Sequence, residues 1–264
     1  MFDALYIGAT GMQAQQLNVD NIANNLANVN TVGFKKGRTN FTDLMVNDSA
    51  RITGAGGSSS PALLSPIARL GAGVGVSGLS KVFDVGDLKK TDSAFDVAIK
   101  GDGFLEVVMP DGSHAYTRGG TLKVGQDGQL STQGGFPLKP GISVPDNTQS
   151  LTIQSDGRVQ AMVGSQTTPV DIGTFSLVRF NNPQGLLAQG DNLYRVSEVS
   201  GDAITARPGE EGVGLVTQGY LEGSNVKLVD EMVNLMIGQR VYEANVKVVQ
   251  ASDEMLGMIN SLRK

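Results

Sequence analysis

The chain has 264 residues, 35 of them glycine, with 40% apolar residues and neither cysteine nor tryptophan. That length suits one large or two small units with a packed core, and the missing cysteines exclude a disulfide framework and a thiolate metal site. A net charge of −5 argues against non-specific nucleic-acid binding.

The charge is unevenly placed. Residues 1–45 balance Asp3, Asp20 and Asp43 against Lys35, Lys36 and Arg38. Residues 225–264 balance five acids against five bases, so the middle of the chain holds the whole −5. Neutral ends suit segments that pack against copies of themselves, where like charges would repel.

From the N-terminus, Leu5, Met12, Val19 and Leu26 recur every seven residues, and Ile22 and Val29 add the second seam position of the last two heptads. The pattern predicts a helix over residues 3 to 30, about 42 Å long at ~1.5 Å per residue. Gly8 and Gln15 are weak spots in its stripe. Its stop is expected near Thr31-Val32-Gly33, with Gly33 able to take a left-handed conformation. No basic n-region precedes an apolar run, and no stretch of some 18 apolar residues occurs. These features fit a cytoplasmic chain, or one exported with its N-terminus uncut.

Residues 46–78 carry TGAGGSSSP and LGAGVGVSG, which predict an irregular or flexible connector. The period then changes to two. Strands are predicted at 95–99, 103–108, 151–154, 158–163 and 174–180, and Asp-Gly pairs at 111–112, 127–128 and 156–157 predict hairpin turns. Residues 79–217 therefore read as an all-β domain. The last segment, 218–264, returns to helical spacing through Leu228, Met232, Leu235, Gln239, Tyr242, Val246, Val249 and Leu256, with Asp253 breaking the seam. Val229, Val233, Met236, Met255, Ile259 and Leu262 widen that stripe. This helix is expected to run about 54 Å, with Gly238 inside it at a cost of about 1 kcal/mol relative to alanine.

The expected fold is mixed α and β. An N-terminal helical arm (1–45) and a C-terminal one (218–264) form an antiparallel, coiled-coil-like pair, and a central all-β domain lies between them in sequence. Each helix has an apolar stripe that one partner need not cover. Isolated helices of this kind are marginal in water, which points to burial against a neighbouring molecule.

Residues 18–30, NVDNIANNLANVN, hold six asparagines. Asn18, Asn21, Asn25 and Asn28 form a polar stripe beside the apolar one. Two readings stay open: an amide ladder that fixes register at an interface, or a solvated face, which more commonly carries Lys and Glu.

Rival chemistry is weakly signalled. Gly73-Val-Gly75-Val-Ser-Gly78 matches a dinucleotide-binding pattern, but no helical period follows it. His114 is the only histidine, which leaves no His-based triad or His-rich metal site. The pairs Asp84/Asp87 and Asp92/Asp96 read as solvated carboxylates. No catalytic residue, cofactor, metal, nucleic acid or small-molecule substrate is expected.

The two ends carry a resemblance. ANNLANVNTVGFKK (23–36) resembles the N-terminal signature of bacterial flagellar rod and hook proteins, and QGYLEGSNVKLVDEMVNLMIGQRVYEANVKVVQASDEMLGMINSL (218–262) resembles their C-terminal one. DVAIKGDGFLEV (96–107) and DGSHAYTRGGTLKVGQDGQL (111–130) resemble the middle of the family. The connector makes the chain most similar to the distal rod members; a proximal rod paralogue is the nearest alternative. From another class, a secreted oligomeric binding module with a β head would also use helices as a stalk.

The resemblance implies a non-enzymatic homopolymer, the drive shaft between motor and hook. Its implied neighbours are proximal rod proteins, hook-side axial proteins, the surrounding P- and L-ring proteins and the flagellar export apparatus. It implies a place in the basal body, crossing the periplasm, reached by type III export without a cleaved signal peptide. The signatures fall on Ala23, Asn24, Asn25, Leu26, Ala27, Asn28, Thr31, Gly33 and Phe34, and on Ser224, Asn225, Val226, Glu231, Gln239, Arg240, Tyr242, Glu243 and Asn245. The candidate assembly interface comprises the two heptad stripes, the four asparagines, and Thr31, Gly33, Phe34, Gln239 and Arg240. Lys227 departs from the family by replacing a small polar cap, which moves the expected cap to Ser224 or Asn225.

Overall fold

A computed structural model describes residues 2–44, 71–164, 168–210 and 212–262. Most of the predicted connector, residues 46–70, lies outside the described residues. The chain divides into two units, one made of residues 1–24, 38–79 and 229–264, the other of residues 25–37 and 80–228.

The first unit holds two long helices and a β-ribbon. Helix α1 (Phe2–Ala27) ends a few residues before the sequence suggests. The chain then turns through Asn28–Asn30, and Gly33 does adopt a positive φ of 70°. Strand β1 (Gly37–Asp43) pairs with β2 (Val74–Lys81). The Leu44 N–H donates to Gly73 C=O, and the Val82 N–H donates to Lys36 C=O, so the strands run antiparallel. Residues 37–43, which the sequence reading joined to the helical arm, are thus strand. The G-x-G-x-x-G stretch lies largely in β2, with no helix after it. Helix α2 (Leu228–Leu262) has 35 residues. Asn225 does not cap it, because its side-chain amide is bound elsewhere, and Ser224 Oγ accepts only the Val226 N–H of the preceding turn.

The second unit is built from β3 (Leu88–Lys90), β4 (Asp96–Lys100), β5 (Phe104–Val108), β6 (His114–Thr117), β7 (Gly119–Val124), β8 (Leu130–Thr132), β9 (Leu138–Lys139), β10 (Thr148–Ile153), β11 (Arg158–Val163), β12 (Val170–Thr174), β13 (Leu177–Arg179), β14 (Leu187–Gly190), β15 (Leu193–Arg195), β16 (Ile204–Ala206), β17 (Leu215–Gln218) and β18 (Tyr220–Glu222). The largest sheet runs β14-β15-β6-β5-β13-β16, with β9 added to β5. A second runs β17-β4-β7-β8, a third β10-β11-β12, and β18 pairs with β3.

All five predicted strands are present, but the one at 174–180 is broken between β12 and β13. The three Asp-Gly turns form with positive φ at Gly112, Gly128 and Gly157. Inward side chains such as Val97, Ile99, Leu105, Val107, Leu130, Leu177 and Val216 make one core. A second, aromatic cluster joins Phe83, Phe104, Tyr116, Phe180 and Tyr194 edge to face, with Phe104 and Phe180 centroids 5.6 Å apart. Burying each such side chain contributes roughly 1.5–3 kcal/mol.

Candidate assembly interface

In the first unit the helices pack antiparallel, and small residues set how closely. A Cβ on Gly8 would lie 2.7 Å from Val249 Cγ2, and one on Gly11 would lie 2.9 Å from Asn245 Nδ2. Farther along, a Cβ on Gly238 would lie 3.1 Å from Val19 Cγ2, with Gln15 and Asn18 beside it. Gly8 and Gln15, weak spots by heptad logic, therefore belong to the seam. Gly238 is buried at the same seam, which gives this helix-interior glycine a packing reason.

That seam uses one side of each helix. On α1, Ala14 and Ile22 are buried, and Leu5, Met12, Val19 and Leu26 are partly covered, as is Val29 in the turn after the helix. On α2, Leu235, Val246, Val249 and Leu256 are partly covered. Leu228, Met232, Gln239, Arg240 and Tyr242 are exposed, and so are Val233, Met236, Ile237, Val241, Val248, Met255, Met258 and Ile259. Sequence spacing missed Ile237, Val241, Val248 and Met258, because α2 is apolar around more of its circumference than a two-position seam describes.

The asparagine stripe is divided. Asn25 is buried, and its side chain clamps one peptide: Nδ2 donates to Gly37 C=O at 2.9 Å, while the Gly37 N–H donates to Oδ1 at 2.8 Å. Asn21 Nδ2 donates to Thr39 Oγ1 at 3.3 Å, Asn18 Nδ2 donates to Gln15 Oε1, and Thr31 Oγ1 donates to Asn28 Oδ1. Asn25, Gly33 and Phe34, assigned to the assembly surface by pattern and resemblance, are buried within this chain. An amide in a helix can satisfy both backbone groups of a nearby strand, and an apolar or charged residue cannot. Thr31 is exposed.

The second unit contains a buried charged node that sequence reading missed. Glu222, on β18, receives Lys35 Nζ at 2.7 Å on Oε1 and Arg118 Nε at 3.0 Å on Oε2. The Gly86 N–H also donates to Oε1 at 2.9 Å. Lys35 is fully buried and donates to Asp84 C=O, while Arg118 donates to the carbonyls of Gly103 and Gly101. Each nitrogen of the guanidinium thus donates to an oxygen, which offsets the cost of burying the charge. Burial pushes the Lys35 ammonium down from its ordinary pKa, against the upward pull of Glu222.

A neutral clamp lies alongside. The Lys36 N–H donates to Asn225 Oδ1, and Asn225 Nδ2 donates to Val82 C=O. The node therefore ties the segment that follows α1 to the segment that precedes α2. Lys35 stands inside the quoted N-terminal signature, yet nothing in a linear pattern pairs it with Glu222.

The remaining candidates are structural. His114 Nδ1 lies 3.0 Å from Glu106, on a hairpin strand. Asp96 is buried in β4, which corrects its reading as solvated; it begins a strand whose next three residues, Val97, Ala98 and Ile99, are buried. Among the described residues no cluster of His, Cys, Asp or Glu could hold a metal ion, and no helix is long and apolar enough to cross a membrane.

Three family models match in chain order. They are the flagella basal body rod protein (residues 5–35), the flagellar hook protein FlgE/F/G D1 domain (98–161) and the flagellar basal body rod FlgEFG protein C-terminal region (217–262). The flagellar basal-body rod protein FlgG of Buchnera aphidicola subsp. Schizaphis graminum is 44% identical over 262 residues, covering 99% of this chain and 100% of its own. The FlgG proteins of Borreliella burgdorferi and Bacillus subtilis are 42% and 37% identical, each covering 100% of both chains. Matched across its full length and carrying both terminal signatures on a paired-helix unit, the chain belongs to the flagellar basal-body rod protein family, in its FlgG group of distal rod proteins.

Proposed function

We propose that this chain polymerises helically into the distal rod, and that the exposed apolar face of α2 is the surface buried between copies. Membership of the family makes it a structural, non-enzymatic axial subunit of the flagellar rod in the periplasmic basal body. The polymer, its partners and its route of export are the further reading.

The observation that carries this reading is the run Met232, Val233, Met236 and Ile237. These residues are 43–54% exposed although they belong to an ordered helix already packed on α1. Each contributes roughly 1.5–3 kcal/mol on full burial. Exposed apolar residues that adjoin on one helix face fit an interaction site. Val229 and Arg240 continue the same face along α2, and Leu228, Gln239 and Tyr242 are exposed beyond its edge.

In the rod, proximal rod proteins would meet one end of the polymer and hook-side axial proteins the other, with the P- and L-ring proteins around it. Export would run through the flagellar export apparatus. Electron microscopy of concentrated full-length protein tests the reading. Tubes of indefinite length are expected; finite stalked oligomers would contradict it and favour a binding module with a β head.

A further inference from the structure

The hairpin β14–β15 carries two unlike features at its ends. At its closed tip, Asp191 and Asn192 take positive φ, and the tip walls a groove of about 800 Å³. Val32, Phe34, Leu122, Phe136 and Leu193 supply apolar lining there. Lys81 supplies a cation, its ammonium 4.3 Å from the Phe34 ring and 2.9 Å from Lys35 C=O. No described carboxylate pairs with it. Burial lowers its pKa, which marks a charge poorly compensated within the chain. Asp191, the other charged lining residue, is exposed at the tip.

The open end of the hairpin carries a knob. Val199 is 69% exposed, as much as any large apolar residue described, and Glu198 beside it is exposed with no cationic partner among the described residues. The turn is held by its own side chains. Ser197 Oγ donates to Gly185 C=O and accepts the Val199 N–H, and Ser200 Oγ donates to Ser197 C=O. Gly185 fits so closely that a Cβ there would meet the Ser200 N at 2.7 Å. Leu187, 57% exposed, stands at the same end, opposite Arg195 in the ladder. A knob fixed in this way loses little entropy on docking.

We propose that the Glu198–Val199 turn of one copy seats in this groove of a second copy, with the Glu198 carboxylate on the Lys81 ammonium. The contact rests on the polymer reading above and adds a second subunit interface to it, within the β unit. Knob and groove wall are separated by the length of the hairpin, about 13 Å for four residues at ~3.3 Å each, so a copy does not fill its own groove. A surface that meets an unlike surface on the next copy is heterologous, and repeats into an open helical array rather than a closed dimer. Opposite charges fix which way the knob enters.

The absence of cysteine from the chain makes the test direct. Val199→Cys protein is mixed with Thr121→Cys or, separately, Gln133→Cys protein, both groove-lining and exposed. The mixture is concentrated until electron microscopy shows polymer, and is then mildly oxidised. Disulfide-linked dimers are expected in at least one mixture and absent from each variant alone. Glu198→Lys should raise the concentration at which polymer appears by about tenfold, without changing the melting temperature of the monomer. Polymer that gives no mixed dimer overturns the contact and leaves the rod reading standing. Dimers from Val199→Cys alone overturn it in favour of a symmetric contact. Protein that forms no polymer overturns both.

Discussion

The two units bury their side chains to different degrees. The β unit closes around Val97, Ile99, Leu105 and Leu177, each at 0–1% exposure, and even its central Lys35, Arg118 and Glu222 are enclosed and paired. The helical unit spends its glycines on one tight seam and leaves Met232, Met236, Ile237 and Met258 at 50–59% exposure. The difference teaches where stability and assembly reside. One unit completes its interior within a single chain, and the other leaves an apolar face that the proposed polymer would cover.

The largest expected effect attacks the self-sufficiency of the β unit. Glu222→Gln leaves Lys35 and Arg118 buried with no counter-charge, and should lower stability by about 3–5 kcal/mol. Urea unfolding followed in the β unit would show it; a loss under about 1 kcal/mol would mean that the node is solvated in solution.

Next comes alkaline pH. Burial, helped by the Glu222 carboxylate, pushes the Tyr194 phenol up to about 12, against 10.0 for the free group. The folded state therefore holds this proton more tightly than the unfolded chain. Stability it contributes is whole below pH 10 and is lost as pH rises towards 12, by about 2–3 kcal/mol. Lys35 works in the opposite direction. Its folded pKa is lowered, so deprotonation favours the fold as pH climbs towards 10.5. Tyr194→Phe should flatten the loss above pH 10, and an unchanged slope would remove Tyr194 as its cause.

The helical seam gives a smaller effect with a diagnostic sign. Gly8→Ala improves helix propensity by about 1 kcal/mol. Here it also drives a methyl into Val249, and overpacking of this kind costs about 1–3 kcal/mol. A net loss in helical stability, measured by circular dichroism during melting, supports the seam; a gain would show that the helices do not meet there. The smallest effect is the sharpest contrast. Met236→Ser with Ile237→Ser should change monomer stability by less than about 0.5 kcal/mol each, yet abolish polymer.

Both helices and the alternating strands were legible because their periods survive folding. Leu5, Met12 and Val19 mark α1, and residues 158–163 read as a strand and form one. The Asp-Gly turns were legible because glycine alone takes their positive φ without strain. Strand β1, GRTNFTD, was not, because it is mostly polar and lacks an apolar alternation. Gly8 and Gly238 looked like flaws, since local propensity charges a glycine for its freedom and cannot see the neighbour that needs the room. Asn25 looked like part of a ladder, since its spacing matched its neighbours, but its amide was committed to Gly37. The node stayed hidden because Lys35 and Arg118 reach Glu222 across 187 and 104 residues.

Amide hydrogen exchange on dilute monomer and on assembled protein tests the central claim most directly. The account predicts slow exchange throughout β4, β5 and β11 in both states. It predicts that residues 228–262, packed on one side only, exchange faster in the monomer than those strands do, and become strongly protected in the polymer, where neighbouring copies cover the face of Met232, Met236 and Ile237. Strong protection of residues 228–262 in a monodisperse monomer, unchanged on assembly, would contradict it.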